Sequence, residues 1–296
     1  MIELGRAETD ADLEAWIHVR RTLLPNESGG KVERLREQAR KLECLLLIAE
    51  LEGELAGSGL ADRSDLGDRF ALKPRVLPGA RCRGVGTALL GELVEHASQF
   101  DVDKVSTMLE EEEARAFAER FGFRETDRQV EQVKILGDEL APPLLPAGVE
   151  VVTIAERPDL LRECYPLACE GYADLALERP AQISLEDWLG DEATLSAGSF
   201  VALAGGEIVG YSGLVEHDNE GVAEDGLTVV RRDWRRRGLA LALKQLELAW
   251  AAEHGYREVV TWTQCGNEGM RRLNELLGYE YRSVVTSMVA PLPLPS

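Results

Sequence analysis

Residues 228–251 read TVVRRDWRRRGLALALKQLELAWA, and residues 75–97 read RVLPGARCRGVGTALLGELVEHA. In each, an apolar strand end runs into an arginine-glycine turn and then into a stretch with one apolar side. Ala88, Leu89, Leu93, Val94 and Ala97 recur at helical spacing in the first; Leu239, Leu243, Leu246 and Trp250 do so in the second. A strand delivering a glycine turn to a helix start leaves several N–H groups unpaired. They point, with the positive end of the helix dipole, at one spot suited to a phosphate or pyrophosphate. Gly84 and Gly86, or Gly238 and the small Ala240, let a bulky anion approach the backbone, while Arg81, Arg83, Arg235 and Arg237 add positive charge. A tight structural turn is the competing reading of either glycine pair taken alone.

Outward from the two turns, the order of elements repeats. In the first half, MIELGRA reads as an opening strand and Asp10 to Leu24 as a helix. CLLLIAELEGELAGSGLA reads as a hairpin turning at Glu52 and Gly53. In the second half, VEVVTIA, DLLRECYPLACEGYADL and SFVALAGGEIVGYSGLVE take the same roles, the hairpin turning at Gly205 and Gly206. After each turn and helix come a short strand, KVSTML or EVVTWTQ, and a last helix stopped at Gly122 or Gly278. Between the halves, GDELAPPLLPAG holds Pro142, Pro143 and Pro146, which remove backbone donors and discourage helix. The expected organisation is therefore a first domain over 1–138, a proline-rich linker over 139–148 and a second domain over 149–296. Each domain is a mixed, mostly antiparallel sheet flanked by helices, an α/β (mixed α+β) class.

A chain of 296 residues suits two such units, each able to bury its own core. With 45% hydrophobic and 29% charged residues it is globular in composition, and its net charge of −20 disfavours nucleic acid and favours cationic small molecules. Five cysteines with no CxxC pair suggest neither a disulfide framework nor zinc, and four histidines show no ligand spacing, so no metal is expected. Acidic residues near the start and the lack of a membrane-length apolar run predict a cytoplasmic protein without membrane partners.

The turn from Val76 to Gly86 fits V-x-P-x-x-R-x-x-G-x-G, and that from Val230 to Ala240 fits V-x-x-x-x-R-x-x-G-x-A. Arg81, Gly84 and Gly86, like Arg235, Gly238 and Ala240, match the Q/R-x-x-G-x-G/A signature, and here the sequence resembles the GNAT superfamily of N-acyltransferases. AFAERFGF and RRLNELLGY resemble that family's closing helix and aromatic strand, and the tandem layout resembles that of mycothiol synthases. The first turn lacks the third small residue of a dinucleotide fingerprint, and no GxxxxGK[ST] is present, which sets the Rossmann and P-loop readings aside.

The resemblance implies acetyl-coenzyme A as co-substrate, its pyrophosphate held by Arg235, Arg236, Arg237, Gly238, Leu239 and Ala240. In the first half the equivalent set is Arg81, Cys82, Arg83, Gly84, Val85, Gly86 and Thr87. It also implies an oxyanion donor and a pantetheine partner in the backbone around Val229 and Val230, with Val76 and Leu77 corresponding, and a pantetheine contact at Asn267. Asn267 as a helix cap is the competing reading. Acyl transfer to an amine needs a base, and Glu224 is the first candidate. Asp225 lies beside it, Glu216, His217 and Asp218 are rivals, and a water relay is a further alternative. Where many family members place a tyrosine that protonates the leaving thiolate, this chain has Ala118 in the first half and Asn274 in the second; Asn274 is the catalytic candidate there, expected to hydrogen-bond the sulfur or the pantetheine arm, and Tyr279 and Tyr281 are nearby substitutes. These residues predict an N-acyltransferase moving an acetyl group to a primary amine of a small molecule or peptide, catalytic in its second half. A non-catalytic acyl-coenzyme A sensor or scaffold is the alternative, and a monomer or homodimer is expected.

Overall fold

The computed structural model describes residues 1–25, 30–40, 43–63, 69–109, 111, 113–137, 142–174 and 183–295. Glu110, Glu112 and residues 139–141 of the expected linker lie outside them. Residues 142–148 carry neither helix nor strand.

The first half contains β1 (Ile2–Arg6), α1 (Asp10–Leu23), α2 (Val32–Ala39), β2 (Leu45–Leu51), β3 (Glu54–Arg63), β4 (Phe70–Leu72), β5 (Arg75–Val76), α3 (Val85–Ala97), β6 (Lys104–Leu109), α4 (Glu113–Arg120) and β7 (Arg124–Ile135). Helix α1 starts where Thr9 caps it: Thr9 Oγ1 accepts from Asp12 N–H while Asp12 reaches back to Thr9 N–H, satisfying two orphan donors. The second half contains β8 (Val149–Thr153), α5 (Asp159–Ala173), α6 (Leu185–Asp191), β9 (Phe200–Ala204), β10 (Glu207–Glu216), β11 (Val222–Val230), α7 (Leu239–Glu253), β12 (Glu258–Gln264), α8 (Glu268–Leu276) and β13 (Glu280–Pro291). The short helices α2 and α6 are additions to the sequence reading. Ser184 fixes the start of α6 by accepting from Asp187 N–H at 3.0 Å.

The chain forms two compact units, Met1–Thr126 with Thr286–Ser296, and Asp127–Val285. The sheet of the first unit runs β1-β2-β3-β4-β6 and ends on residues 286–291 of β13; that of the second runs β8-β9-β10-β11-β12 and ends on β7. Only β4–β6 and β11–β12 are parallel among these neighbours. The contiguous division at 139–148 follows the repeat, whereas the compact units follow strand pairing. The two differ because each half's last strand completes the other unit's sheet. Ile135 to Gln129 of β7 pair antiparallel with Glu258 to Gln264, and Thr286 to Pro291 pair with Leu109 to Lys104.

In the first unit α3 lays Leu89 and Leu93 on β2 and β3, where Gly57 and Gly59 leave room for them. Trp16 of α1 covers another core and donates its indole N–H to Gly59 O at 2.9 Å. In the second unit Leu239 and Leu243 of α7 meet Gly210 of β10, while Trp188 and Tyr211 pack with α5.

Met288 is fully buried in the core of the first unit although it lies eight residues from the chain's end. Met288→Ala is expected to cost about 2–5 kcal/mol. Hydrogen exchange should accelerate in α3 and β6, with residues 149–285 unaffected; acceleration in α7 and β12 instead would contradict the exchanged strands.

Candidate active site

Both turns have the same backbone. Three residues of 3₁₀ helix (Pro78–Ala80, Arg232–Trp234) follow the strand; then Cys82 and Arg236 adopt φ of 58° and 64°, and Gly84 and Gly238 adopt 89° and 83° before the helix begins. A left-handed non-glycine costs about 1–3 kcal/mol, and its recurrence at one position in both halves marks a shape held for a purpose. Among the described residues, no acceptor pairs with the amides of 82–87 or 236–241. A side chain built on Gly238 would meet open space, so room for an anion lies directly over this turn.

The motif arginines hold these turns in shape. Arg235 Nε donates to Val230 O at 2.9 Å and its Nη2 to Asp174 at 2.6 Å; Arg81 Nε donates to Val76 O at 3.3 Å and its Nη2 pairs with Glu111. Expected as charge donors to a ligand, Arg81 and Arg235 are thus already tied to the strand end and to carboxylates. Arg83 pairs with Glu52, and Arg237 reaches Asp233 O over the Trp234 ring. Arg236 is exposed and has no side-chain partner among the described residues.

Beyond the turn, the parallel pair opens. Among the described residues, strand β11 pairs with β12 only from Val222↔Glu258 to Asp225↔Thr261, so Val229 and Val230 pair with Tyr211 and Gly210 of β10 on one side and have no described strand on the other. That open edge can take an amide-bearing arm as an added strand would bind. Val76 likewise pairs with Gly57 on one side, and Leu77 donates its N–H to Ala56 O.

Strands β10 and β11 also slip register: Ser212 faces Thr228, but Leu214 faces Asp225, so Gly226 and Leu227 oppose Gly213 alone. Into this bulge comes the carboxylate of Glu192. It accepts from Tyr211 Oη–H at 3.0 Å and from the N–H groups of Leu227 and Ala193. A Cβ on Gly213 would stand 2.0 Å from Glu192 Oε1, so only glycine fits there. Burial pushes the Glu192 carboxyl up to about 7; its hydrogen bonds oppose the shift and the charge of Glu224 adds to it. Glu224 itself is raised above the ordinary glutamate value, first by burial and then by Glu131, which is held by Arg282 and Ser283. The sequence reading missed Glu192, because the glycines and tyrosine that receive it come from two other strands.

The remaining candidates divide. Asp225 is buried in an ion pair with Lys244, accepts from Tyr279 Oη–H at 3.4 Å and is therefore engaged. Asn274 is buried, and its Nδ2 donates to Gln132 at 3.0 Å and to Thr263 at 3.3 Å, leaving no proton for a thiolate. Tyr281 Oη donates to Glu275 and accepts from Arg271. Asn267 caps α8, its Oδ1 accepting from Met270 N–H at 3.2 Å, and this accounts for the residue without a ligand.

The first unit has a different interior. A cavity of about 620 Å³ opens beside its turn, lined among others by Leu72, Leu90, Met108, Phe117, Ala118 and Phe123. Phe70 and Ala71 pair in parallel with Val105 and Ser106 as Ala223 and Glu224 pair with Val259 and Val260, so Ala71 holds the place of Glu224. Among the described residues no cluster could hold a metal ion, and no helix is long and apolar enough to cross a membrane.

The sequence pattern of the acetyltransferase (GNAT) family matches residues 13–123 and again 158–279. No curated protein matches the sequence. Among solved structures, a GCN5-related N-acetyltransferase from Sphaerobacter thermophilus is similar over all of this chain and 96% of its own, at 22% identity and a TM-score of 0.79. A tandem GNAT protein from the clavulanic acid biosynthesis pathway is similar over the whole of both chains, at 19% identity and a TM-score of 0.74. These likenesses show a shared fold of two tandem GNAT-like domains.

A carboxyl raised on folding from 4.5 to about 7 binds a proton in the folded state that the unfolded state has lost. Its contribution to stability is full below pH 4.5 and declines as pH rises through 7, by ~3 kcal/mol. Urea melts of wild type and Glu192→Gln between pH 4.5 and 7.5 should show this decline in wild type and a flatter profile in the variant. Parallel profiles would remove Glu192 from the titration.

Proposed function

We propose, for a chain that belongs to the acetyltransferase (GNAT) family, that the second unit transfers an acetyl group from acetyl-coenzyme A to a primary amine. The observation that carries this reading is Glu224. Its proton affinity is raised, it lies on the strand that opens beside the turn, and the first unit has Ala71 there.

Acetyl-coenzyme A would supply the thioester. The amides of 236–241, at the positive end of α7, hold its diphosphate, with Arg236 as an unengaged cation. The open edge of β11 at Val229 and Val230 receives the pantetheine arm, and a backbone N–H there polarises the thioester carbonyl. An acceptor arriving as an ammonium ion has one proton removed by Glu224 and passed to solvent. Its nitrogen then bonds to the carbonyl carbon, the carbon–sulfur bond breaks with its electron pair on sulfur, and the second nitrogen proton neutralises the thiolate directly or through water. No side chain is assigned as the thiolate acid, since Asn274 and Tyr279 are committed elsewhere. Glu131, Glu192 and Glu224 give the acceptor side a negative field that draws a cationic small molecule or peptide amine. The sensor reading draws on the first unit, whose site lacks the base.

Glu224→Gln is expected to lower amine-dependent thiol release from acetyl-coenzyme A by about 10²-fold or more while leaving its binding intact. An unchanged kcat across an amine panel would remove Glu224 as the base. Gly238→Val should weaken coenzyme A binding about tenfold or more, the equivalent of one charge-assisted hydrogen bond. Calorimetry on the folded fraction, gauged from a melting curve, checks this; unchanged affinity would place the ligand elsewhere.

A further inference from the structure

The two units carry an internal contrast at the deep end of the strand opening. In the second unit Asp225, Lys244 and Tyr279 bond to or stack on one another, with Lys244 Nζ 5.2 Å from the Tyr279 ring centre, and Asn274 is bonded to Gln132 and Thr263. Strand register places Leu72, the shared turn motif places Leu90, and the helix stops at Gly122 and Gly278, with the same backbone bond from the next residue, place Phe123 and Ala118 at those four positions in the first unit. All four line its cavity. A polar network has therefore been replaced, residue for residue, by an apolar wall, and the space in front of that wall is open. Lys244 and Glu247 are fully buried, and burial lowers the one and raises the other; at their places stand Leu90 and Leu93, which titrate nowhere.

A cavity of about 620 Å³ lies within the ordinary range for a small-molecule site, and apolar walls favour an apolar occupant over water. Its mouth reaches Arg81, Cys82, Gly84, Gly86 and Thr87, so one end meets the amides of the turn and the other is hydrocarbon. The charged side chains of the lining are Lys73, Arg75, Arg81, Glu111, Glu113 and Arg120, and Arg81 and Glu111 are paired with each other. A ligand matching both ends is anionic at one end and aliphatic at the other.

We propose that the first unit binds the coenzyme A thioester of an aliphatic acid longer than acetic acid, its acyl chain lying in the cavity bounded by Leu72, Leu90, Ala118 and Phe123. This rests on the reading that the turn at 82–87 holds coenzyme A. The polar filling of the corresponding positions in the second unit suits the shorter acetyl group, so the two units differ in the acyl length they accept.

Cys82 is exposed and lines the cavity mouth, which gives a local probe in the full-length protein. Alkylation of Cys82 by iodoacetamide, followed by mass spectrometry, is measured against coenzyme A and its acetyl, butyryl, hexanoyl and octanoyl thioesters. Coenzyme A should protect Cys82, and the half-protecting concentration should fall about fourfold for each methylene buried until the cavity is full. Ala118→Phe should flatten the series while protection by coenzyme A itself is retained. Should that variant not fold, Met108→Lys, at a half-exposed position of the lining, places a charge in the chain's path and should penalise octanoyl more than acetyl. Protection independent of chain length, or chain dependence that survives the folded variant, overturns the proposal and leaves the coenzyme A reading standing. Failure of coenzyme A to protect at millimolar concentration overturns the reading of the turn, and the proposal with it.

Discussion

The guanidinium of Arg235 grips the carbonyl of Val230, five residues back, and that of Arg81 grips Val76 in the same way. These contacts fold the chain sharply enough that the residue after each arginine is driven into the left-handed region. The helix then begins at a glycine in the same region, and a run of main-chain donors is left without partners among the described residues. An unpaired donor in a protein is costly unless water or a ligand meets it. The rest of the site depends on this constraint: the strand must end there, its neighbour must diverge, and the opening between them becomes the place where chemistry can happen.

What each opening contains is decided by side chains beneath the sheet. In the second unit buried charges are paired and hydrogen-bonded, an arrangement whose desolvation cost is tolerable only because the partners meet closely. In the first unit the same positions are hydrocarbon. One backbone thus supports a buried charged network in one copy and an apolar cavity wall in the other, and only the former retains a carboxylate at the Glu224 position.

Apart from the short helices α2 and α6, the turns, hairpins and helices of both halves were legible in the sequence because each is set by local signals: the period of Leu239, Leu243 and Leu246, the glycine pairs at 52–53 and 205–206, the stops at Gly122 and Gly278. Glu224 could be singled out as a candidate for the same reason, being a short distance upstream of a recognisable turn. Three things were not. Glu192 gains its meaning from Tyr211, Gly213 and Gly226, which folding brings to it across strands. Arg235 and Arg81 read as ligand charges, yet a nearby carbonyl and carboxylates claim them first. The exchange of β7 and β13 leaves no mark in composition, since KVSTML and EVVTWTQ each offer a similar edge to whichever closing strand arrives.

That exchange bears on how the protein comes into being. The first unit waits for strand residues Thr286–Pro291, made 160 residues after its own Thr126. At ribosomal speeds of about 5–20 residues per second, the interval is roughly ten to thirty seconds. During that time β6 has an unsatisfied edge and the nascent domain stands open to chaperones or misassociation, whereas the later-made unit already has β7 in hand. Order of synthesis and order of completion are therefore reversed, and the amino-terminal unit is the last to close.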